Sequence, residues 1–393
     1  MNLPEIQAQL REEGLDGWLF FDHHHRDPIA YRVLGLPADG HVSRRWYYWI
    51  PAEGDPLKLV HVIEPWCLDR LPGNERTYSS WKEQRSALDR LLNGAHRIAM
   101  QYSENCMIPY ISLVDGGTIE LVRSLGKEIV SSGSLVQFFE ARWTDEQLTQ
   151  HKQAGVLVDA IRVDAFKLIG ERLTAGQEVT EWQVAEFIRD RFARDGLVSN
   201  DGPIVAANAN SSNPHYGPTA EASSPIFSGD FVLIDLWAKL NQPESVYYDV
   251  TWTGYCGTEV RGDIELVFDV VRDARDAGLA FVDNAMREGR TVGGFEVDDA
   301  VRAVIADEGY SDFFPHRTGH SIGEEVHGNG ANMDNLETHD ERPIIPGTCF
   351  SIEPGVYLDA FGVRSEFDCY VSSDGAVATG EIQQEIVLIG TES

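Results

Sequence analysis

Long hydrophobic runs are missing from this chain. No window approaches 18 uncharged apolar residues, so no segment reads as a membrane-spanning helix. Basic residues are scarce too: 32 Lys and Arg stand against 63 Asp and Glu, a net charge of −31. Such a balance argues against nucleic acid or an anionic membrane surface as partner. Cysteine is sparse, with five residues in an odd set and no C-x-x-C spacing. These read as reduced, mostly buried thiols of a cytoplasmic protein. The opening residues lack the charged start and apolar core of a signal peptide, so none is expected.

What is present is length and alternation. At 393 residues the chain is too long for one compact core, and two domains are expected. Residues 1–140 read as an α/β domain. Helix patterns at 3–13, 78–92 and 121–125 are interleaved with strand-like runs at 17–21, 45–50, 57–62, 97–100 and 128–131. His23-His24-His25 has no carboxylate or cysteine partners at useful spacing and reads as a solvated loop or a contact to a neighbouring subunit. A linker at 138–144 leads into residues 141–393. That half repeats one pattern twice: two helices, then strands carrying a pair of acids. The helices are expected at 145–173 and 181–195, then at 264–288 and 296–308. The fold class is therefore α+β, and the repeat implies a pseudo-twofold arrangement that brings the acidic pairs together.

The first acidic pair lies in FVLIDLW and VYYDVTWT, two β-prone runs joined by the turn-forming Asn241-Gln242-Pro243-Glu244-Ser245. Asp235 and Asp249 are equidistant from Gln242, so a hairpin centred there sets them roughly opposite on one face. The second pair repeats the figure: Glu353 and Glu366 are equidistant from the middle of the loop Asp359-Ala360-Phe361-Gly362. Facing carboxylates in an apolar hairpin destabilise unless a metal, an arginine or a shared proton lies between them. One pair has bland explanations such as a strand end or a partnered salt bridge. Two mirrored pairs demand cations.

Histidines extend the pattern. FPHRTGHSIGEEVHGNG places His316, His320 and His327 among Gly319, Gly323 and Gly328, which break the run into turns and short extended pieces. A lone loop histidine is ordinarily polar surface. Three within twelve residues, beside glycines that permit close backbone approach, point to a site. His215 lies in another turn-rich loop, NSSNPHYGPT.

Together LIDLW, YYDVTWT, HRTGHSIGEEVH, FSIEPGVYL and GVRSE resemble, in order, the motifs of the pita-bread metallopeptidases. That group holds Xaa-Pro aminopeptidase, prolidase, methionine aminopeptidase and creatinase. The resemblance spans roughly Arg142 to Ile389 and implies a pita-bread catalytic domain over 141–393, preceded by a creatinase-like domain over 1–140. It implies five metal ligands: Asp235, Asp249, His320, Glu353 and Glu366. Asp249 and Glu366 match bridging carboxylates, Asp235 matches the ligand private to one metal, and His320 and Glu353 match those on the other. Two divalent ions per chain are implied, with Mn first and Co, Zn or Fe also suited to such donors. They would hold a bridging hydroxide as nucleophile. By family position Glu353 shuttles a proton and His215 and His327 contact the substrate carbonyl. His316 lines the substrate pocket, and Arg364 orients the acidic cluster. The implied activity is hydrolysis of an Xaa-Pro bond at the N-terminus of a peptide or in a dipeptide, by a homodimer.

Some residues depart from the family pattern. Trp237 stands where Gly is usual, and Trp252 replaces an arginine. Ser365 replaces an aliphatic residue, and the two aspartates lie fourteen residues apart, three more than is common. No ligand is lost. Trp237 and Trp252 read as packing beneath the hairpin, with substrate contact as the other reading. Hydrolysis of a small non-peptide amide or amidine on the same scaffold is the alternative activity.

Overall fold

The computed structural model describes residues 1–390. By its contacts the chain divides into two compact units, Met1–Glu140 and the remainder from Ala141.

In unit 1 a six-stranded sheet runs in the order β4-β3-β2-β1-β5-β6. Its strands are β1 (Gly17–Asp22), β2 (Trp46–Pro51), β3 (Leu57–His61), β4 (Asn74–Tyr78), β5 (Arg97–Met100) and β6 (Glu128–Ser131). β1 is antiparallel to β2 and parallel to β5, so the sheet is mixed. Every residue of β1 is buried, because helices cover both faces. Trp18 and Phe20 pack with Ile6 and Leu10 of α1 (Leu3–Glu12) and with α2 (Pro28–Leu34). Leu19 and Phe21 pack with Leu88 and Leu91 of α3 (Trp81–Leu91) and with Val122 of α4 (Gly116–Arg123). Three elements differ from the sequence reading. The helix expected at 121–125 is α4 at Gly116–Arg123, started by Asp115, whose side chain accepts from Thr118 N. Tyr78 ends an edge strand, β4, rather than starting a helix, because Ser80 and Glu83 form a capping box that starts α3 at Trp81. The seven-residue α2, capped by Asp27 and closed by Gly35 at φ 67°, is too short to show a period.

Unit 2 follows a one-turn helix, α5 (Gly133–Val136), and a five-residue π-turn. Its first layer is α6 (Asp145–Thr174) and α7 (Glu181–Arg194), each begun by a threonine capping box. They cover a sheet of β7 (Leu197–Val198), β8 (Ile204–Ala207), β9 (Phe231–Leu240), β10 (Tyr248–Tyr255) and β17 (Val387–Leu388). Strand alternation fixes which residues meet the helices. Val232, Ile234, Leu236 and Ala238 of β9, with Tyr248 and Val250 of β10, join Val158, Ile161 and Ala165 of α6 in one core. The odd-numbered residues, Asp235 and Asp249 among them, therefore face away from those helices. The second layer repeats the plan. α8 (Gly262–Arg287) and α9 (Gly294–Asp307) cover a sheet ordered β11-β12-β15-β16: Ser321–Ile322, Cys349–Ile352, Phe367–Ser372 and Gly375–Ala378. The ribbon β13 (Gly355–Leu358) and β14 (Phe361–Arg364) continues β12 and β15. No helix among the described residues is long and apolar enough to cross a membrane. All five cysteines are free, with Cys256, Cys349 and Cys369 buried and Cys106 exposed.

Candidate metal centre

The two hairpins carry their acids differently. In the first, Asp235 pairs with Thr251 and Asp249 with Trp237, so the aspartates are diagonal neighbours rather than direct opposites. The loop causes the shift. Ser245 turns back to Leu240 O through its hydroxyl, Glu244 adopts φ 58°, and Tyr247 N donates to Gly323 O instead of extending the ladder. The hairpin thus centres on Pro243. A shift of one in the centre keeps both side chains on one face, within reach of each other. In the second hairpin Ile352 pairs with Phe367 and Gly355 with Arg364. Glu353 and Glu366 fall at the break between these two ladders, in the register that makes them opposite. The break frees their backbone donors for the neighbouring elements: Glu353 N donates to Thr318 O at 2.7 Å and Glu366 N to Thr251 O at 3.1 Å.

These bonds bring the ligand candidates together. Asp249, His320 and Glu366 each offer a ligand atom within 4.8 Å of the others. His320 Nε2 lies 3.7 Å from Asp249 Oδ2 and 3.4 Å from Glu353 Oε1. Its Nδ1 faces Ser321 O at 3.3 Å, and a carbonyl only accepts, so the proton sits on Nδ1 and the Nε2 lone pair faces the acids. Thr251 joins three of the parts: its hydroxyl donates to Glu366 Oε2 at 2.7 Å and accepts from Arg364 Nε at 3.1 Å. Arg364 Nη2 donates to Asp235 Oδ2, and Nη1 donates to Tyr357 OH at 3.0 Å, which in turn meets His316 Nε2 at 2.7 Å.

Electrostatics describe a pocket short of positive charge. Burial, then Glu366 and Asp235, holds Asp249 well above the usual carboxylate range; burial, then Glu353 and Asp235, does the same to Glu366. Burial also raises Asp235, against the pull of Arg364, and pushes Glu353 up to about 7. His320 is held well below its ordinary value by burial, His327 and Arg317, so it is neutral. Burial and Arg364 bring His316 down to about 3. The buried Oδ1 atoms of Asp235 and Asp249 have no hydrogen-bond donor. Buried acceptors without donors are costly unless a cation meets them. Four carboxylates and one imidazole with its lone pair facing them fit divalent metal as a donor set.

The remaining histidines are placed less deeply. His327 is exposed and stands edge-on to His320, ring centroids 4.3 Å apart. His215 is exposed on its loop, near enough to act electrostatically on Asp235 and His327.

A model of metallopeptidase family M24 matches residues 149–373, more than half of the chain. The chain belongs to metallopeptidase family M24. It is 33% identical over 402 residues to an Xaa-Pro dipeptidase of Lactobacillus delbrueckii subsp. lactis, covering 95% of each chain. Dipeptidase PepE of Mycobacterium ulcerans has the same fold, with a TM-score of 0.70 over 98% of this chain and 96% of that one at 22% identity. So does a prolidase from Thermococcus sibiricus, with a TM-score of 0.62 over 98% of each chain at 20% identity. As an M24 member the protein is a peptidase of a metalloenzyme family, with the pita-bread fold.

The structure also assigns work to residues that the sequence reading passed over. Asp368, fully buried, accepts from Asp249 N at 2.8 Å and lies 3.8 Å from the buried His151. Glu181 holds the His215 loop through Ala207 N, Asn210, Tyr216 and Ser224 N. Asp298 accepts from Thr318 N and Asn335 N and from Arg302 Nε, while Arg302 donates to Phe314 O and His316 O. One ion pair on α9 thus holds both ends of the segment that leads into His320. Total burial of Glu181 and Asp298 on otherwise amphipathic helices is the signal, and burial is not visible in a single sequence. Both tryptophans pack. Trp237 covers Gly202, where a Cβ would come within 2.5 Å of its ring, and donates Nε1 to Asn200. Trp252 lies under the Arg162 guanidinium, 3.5 Å from centroid to Cζ.

Proposed function

We propose that the protein is a dinuclear metal-dependent peptidase that hydrolyses the Xaa-Pro bond of a dipeptide or at the N-terminus of a peptide, with 141–393 as its catalytic domain. The observation that carries this reading is the convergence of Asp235, Asp249, His320, Glu353 and Glu366 in one buried pocket whose carboxylates have too few donors. These five residues would hold two divalent ions, Mn first. When bound, such ions acidify a water so that it attacks at neutral pH.

The chain's own residues do the rest. Glu353, raised to about 7, can take a proton from the attacking water and return it to the departing amine. Ser351 Oγ donates to Glu353 Oε1 at 3.2 Å and accepts from His320 N at 3.0 Å, which keeps acid and ligand in one geometry. Exposed His215 and His327 meet the substrate carbonyl as donors, while His316, fixed by Tyr357, lines the pocket. Arg364 is the positioning residue that ties Asp235 to Glu366 through Thr251. The similarity to the Lactobacillus enzyme supports the dipeptide substrate.

The test is hydrolysis with added Mn²⁺ of an Xaa-Pro dipeptide, an Xaa-Pro-Yaa tripeptide and a non-proline dipeptide. Chelator-sensitive cleavage of a proline substrate is expected, and the preferred length separates dipeptidase from aminopeptidase. Two metals bound per chain with no cleavage of any peptide would overturn it in favour of a small amide or amidine hydrolase.

A further inference from the structure

Unit 1 holds a cavity of about 340 Å³ that takes no part in the chemistry above. That volume lies at the small end of ligand pockets, suited to a metabolite rather than a polypeptide. Arg44, Arg45, His23 and His61 line it together with Ser80 and Trp81, and no acidic residue does. In a chain of net charge −31 this is an inverted local balance.

Arg45 is the residue that decides what the cavity would bind. It is half-buried, whereas every other arginine of unit 1 is exposed. Arg45 immediately precedes β2; among the described residues its side chain makes no ion pair or hydrogen bond, and its carbonyl accepts from Tyr78 OH at 2.7 Å. A half-buried guanidinium without a counterion keeps its donors free, and an anion with two oxygens matches its fork. Glu64, the buried acid nearby, is already engaged: its oxygens accept from Ser43 N, Ser43 Oγ and Arg44 N. It therefore holds the backbone that carries the arginines. His23 reports the resulting crowd of cations, since burial, His24, Arg26 and Arg45 all lower its basicity. At the start of α3, Glu83 is engaged as well: its carboxylate accepts from Ser79 N and Ser80 N. Trp81, 68% exposed on the cavity wall, offers a flat apolar face beside the charge.

We propose that this cavity is a binding site for a small carboxylate- or phosphate-bearing molecule, its anionic group on Arg45 and Arg44 and any flat portion against Trp81. The site is independent of the peptidase reading. Its test is titration calorimetry on the full chain at low salt with metal chelated, so that the acidic pocket repels anions. Inorganic phosphate, N-acetylglycine and N-acetylphenylalanine are the probes. Binding of at least one at one site per chain is expected, weakened at least tenfold in Arg45→Gln and partly restored in Arg45→Lys. Asp249→Ala should leave the affinity unchanged, and peptide turnover by Arg45→Gln should match wild type. Tighter binding of phosphate would identify a phosphate ligand; tighter binding of N-acetylphenylalanine than of N-acetylglycine would identify a carboxylate carried beside a ring. Absence of binding by all three probes, or equal affinity in wild type and a folded Arg45→Gln, would overturn the site.

Discussion

Glu353 makes the metal-free protein's stability depend on pH, and its magnitude can be worked out. Burial raises its carboxyl from an ordinary 4.5 to about 7 in the fold. A carboxyl whose value is raised on folding favours the folded state only while it stays protonated. Its contribution is fully present below about pH 4.5 and is lost as the pH rises through about 7, because the unfolded chain ionises first. The displacement corresponds to about 3 kcal/mol. Its side chain is only 16% exposed, so solvent does little to screen it. The perturbation is Glu353→Gln, which cannot ionise. The assay is urea unfolding of both proteins in chelator at intervals from pH 5 to 8. Asp235, Asp249, Glu366 and Asp368 are present in both, and the Glu353 charge helps to raise Asp249, Glu366 and Asp368, so the difference between the two curves reads Glu353 together with its coupling to them. Relative to the glutamine variant, wild type should lose about 2–3 kcal/mol between pH 5 and 8. Parallel curves would refute the claim that this carboxyl is held protonated in the empty pocket.

Two further outcomes follow, one from the pocket and one from the α9 ion pair that holds the segment leading into it. Asp249→Ala and Glu366→Ala should each abolish Mn²⁺-dependent turnover, while metal-free stability changes little or rises because repulsion between carboxylates is relieved. Wild-type activity of either variant in metal-replenished buffer would show that these residues are not ligands. Asp298→Asn should cost about 2–3 kcal/mol in urea unfolding, since it weakens a charge-assisted bond to Arg302 and two backbone bonds. If the pair positions the His316–His320 segment, kcat and metal affinity should fall tenfold or more and recover less in Asp298→Ala than in Asp298→Glu. Unchanged metal affinity would reduce the pair to a structural role.

The convergence of the two acidic pairs was legible because strand pairing converts sequence distance into geometry. Residues equidistant from a turn share a face whenever the turn is nearly symmetric, and an error of one in the turn's centre moves the partner by two, back onto the same face. That is why Asp235 and Asp249 converge even though the hairpin centres on Pro243 rather than Gln242. Distance alone could not reveal which elements would be bonded across layers. Thr251 shares its face with Asp249, yet only the bond from Glu366 N to Thr251 O shows that it bridges Glu366 and Arg364. Asp368 was hidden for a related reason. It lies two residues past Glu366 on a strand whose alternation reads as ordinary, and its importance comes from Asp249 N, 119 positions away. Trp237 shows the opposite limit. It is directly across from Asp249, where family members carry glycine, and the sequence alone leaves its role open between packing and substrate contact. Its ring is committed to Gly202, a residue at φ 67° with no Cβ to clash. The bulk added at Trp237 is thus accommodated by the side chain absent at Gly202, in the loop between β7 and β8.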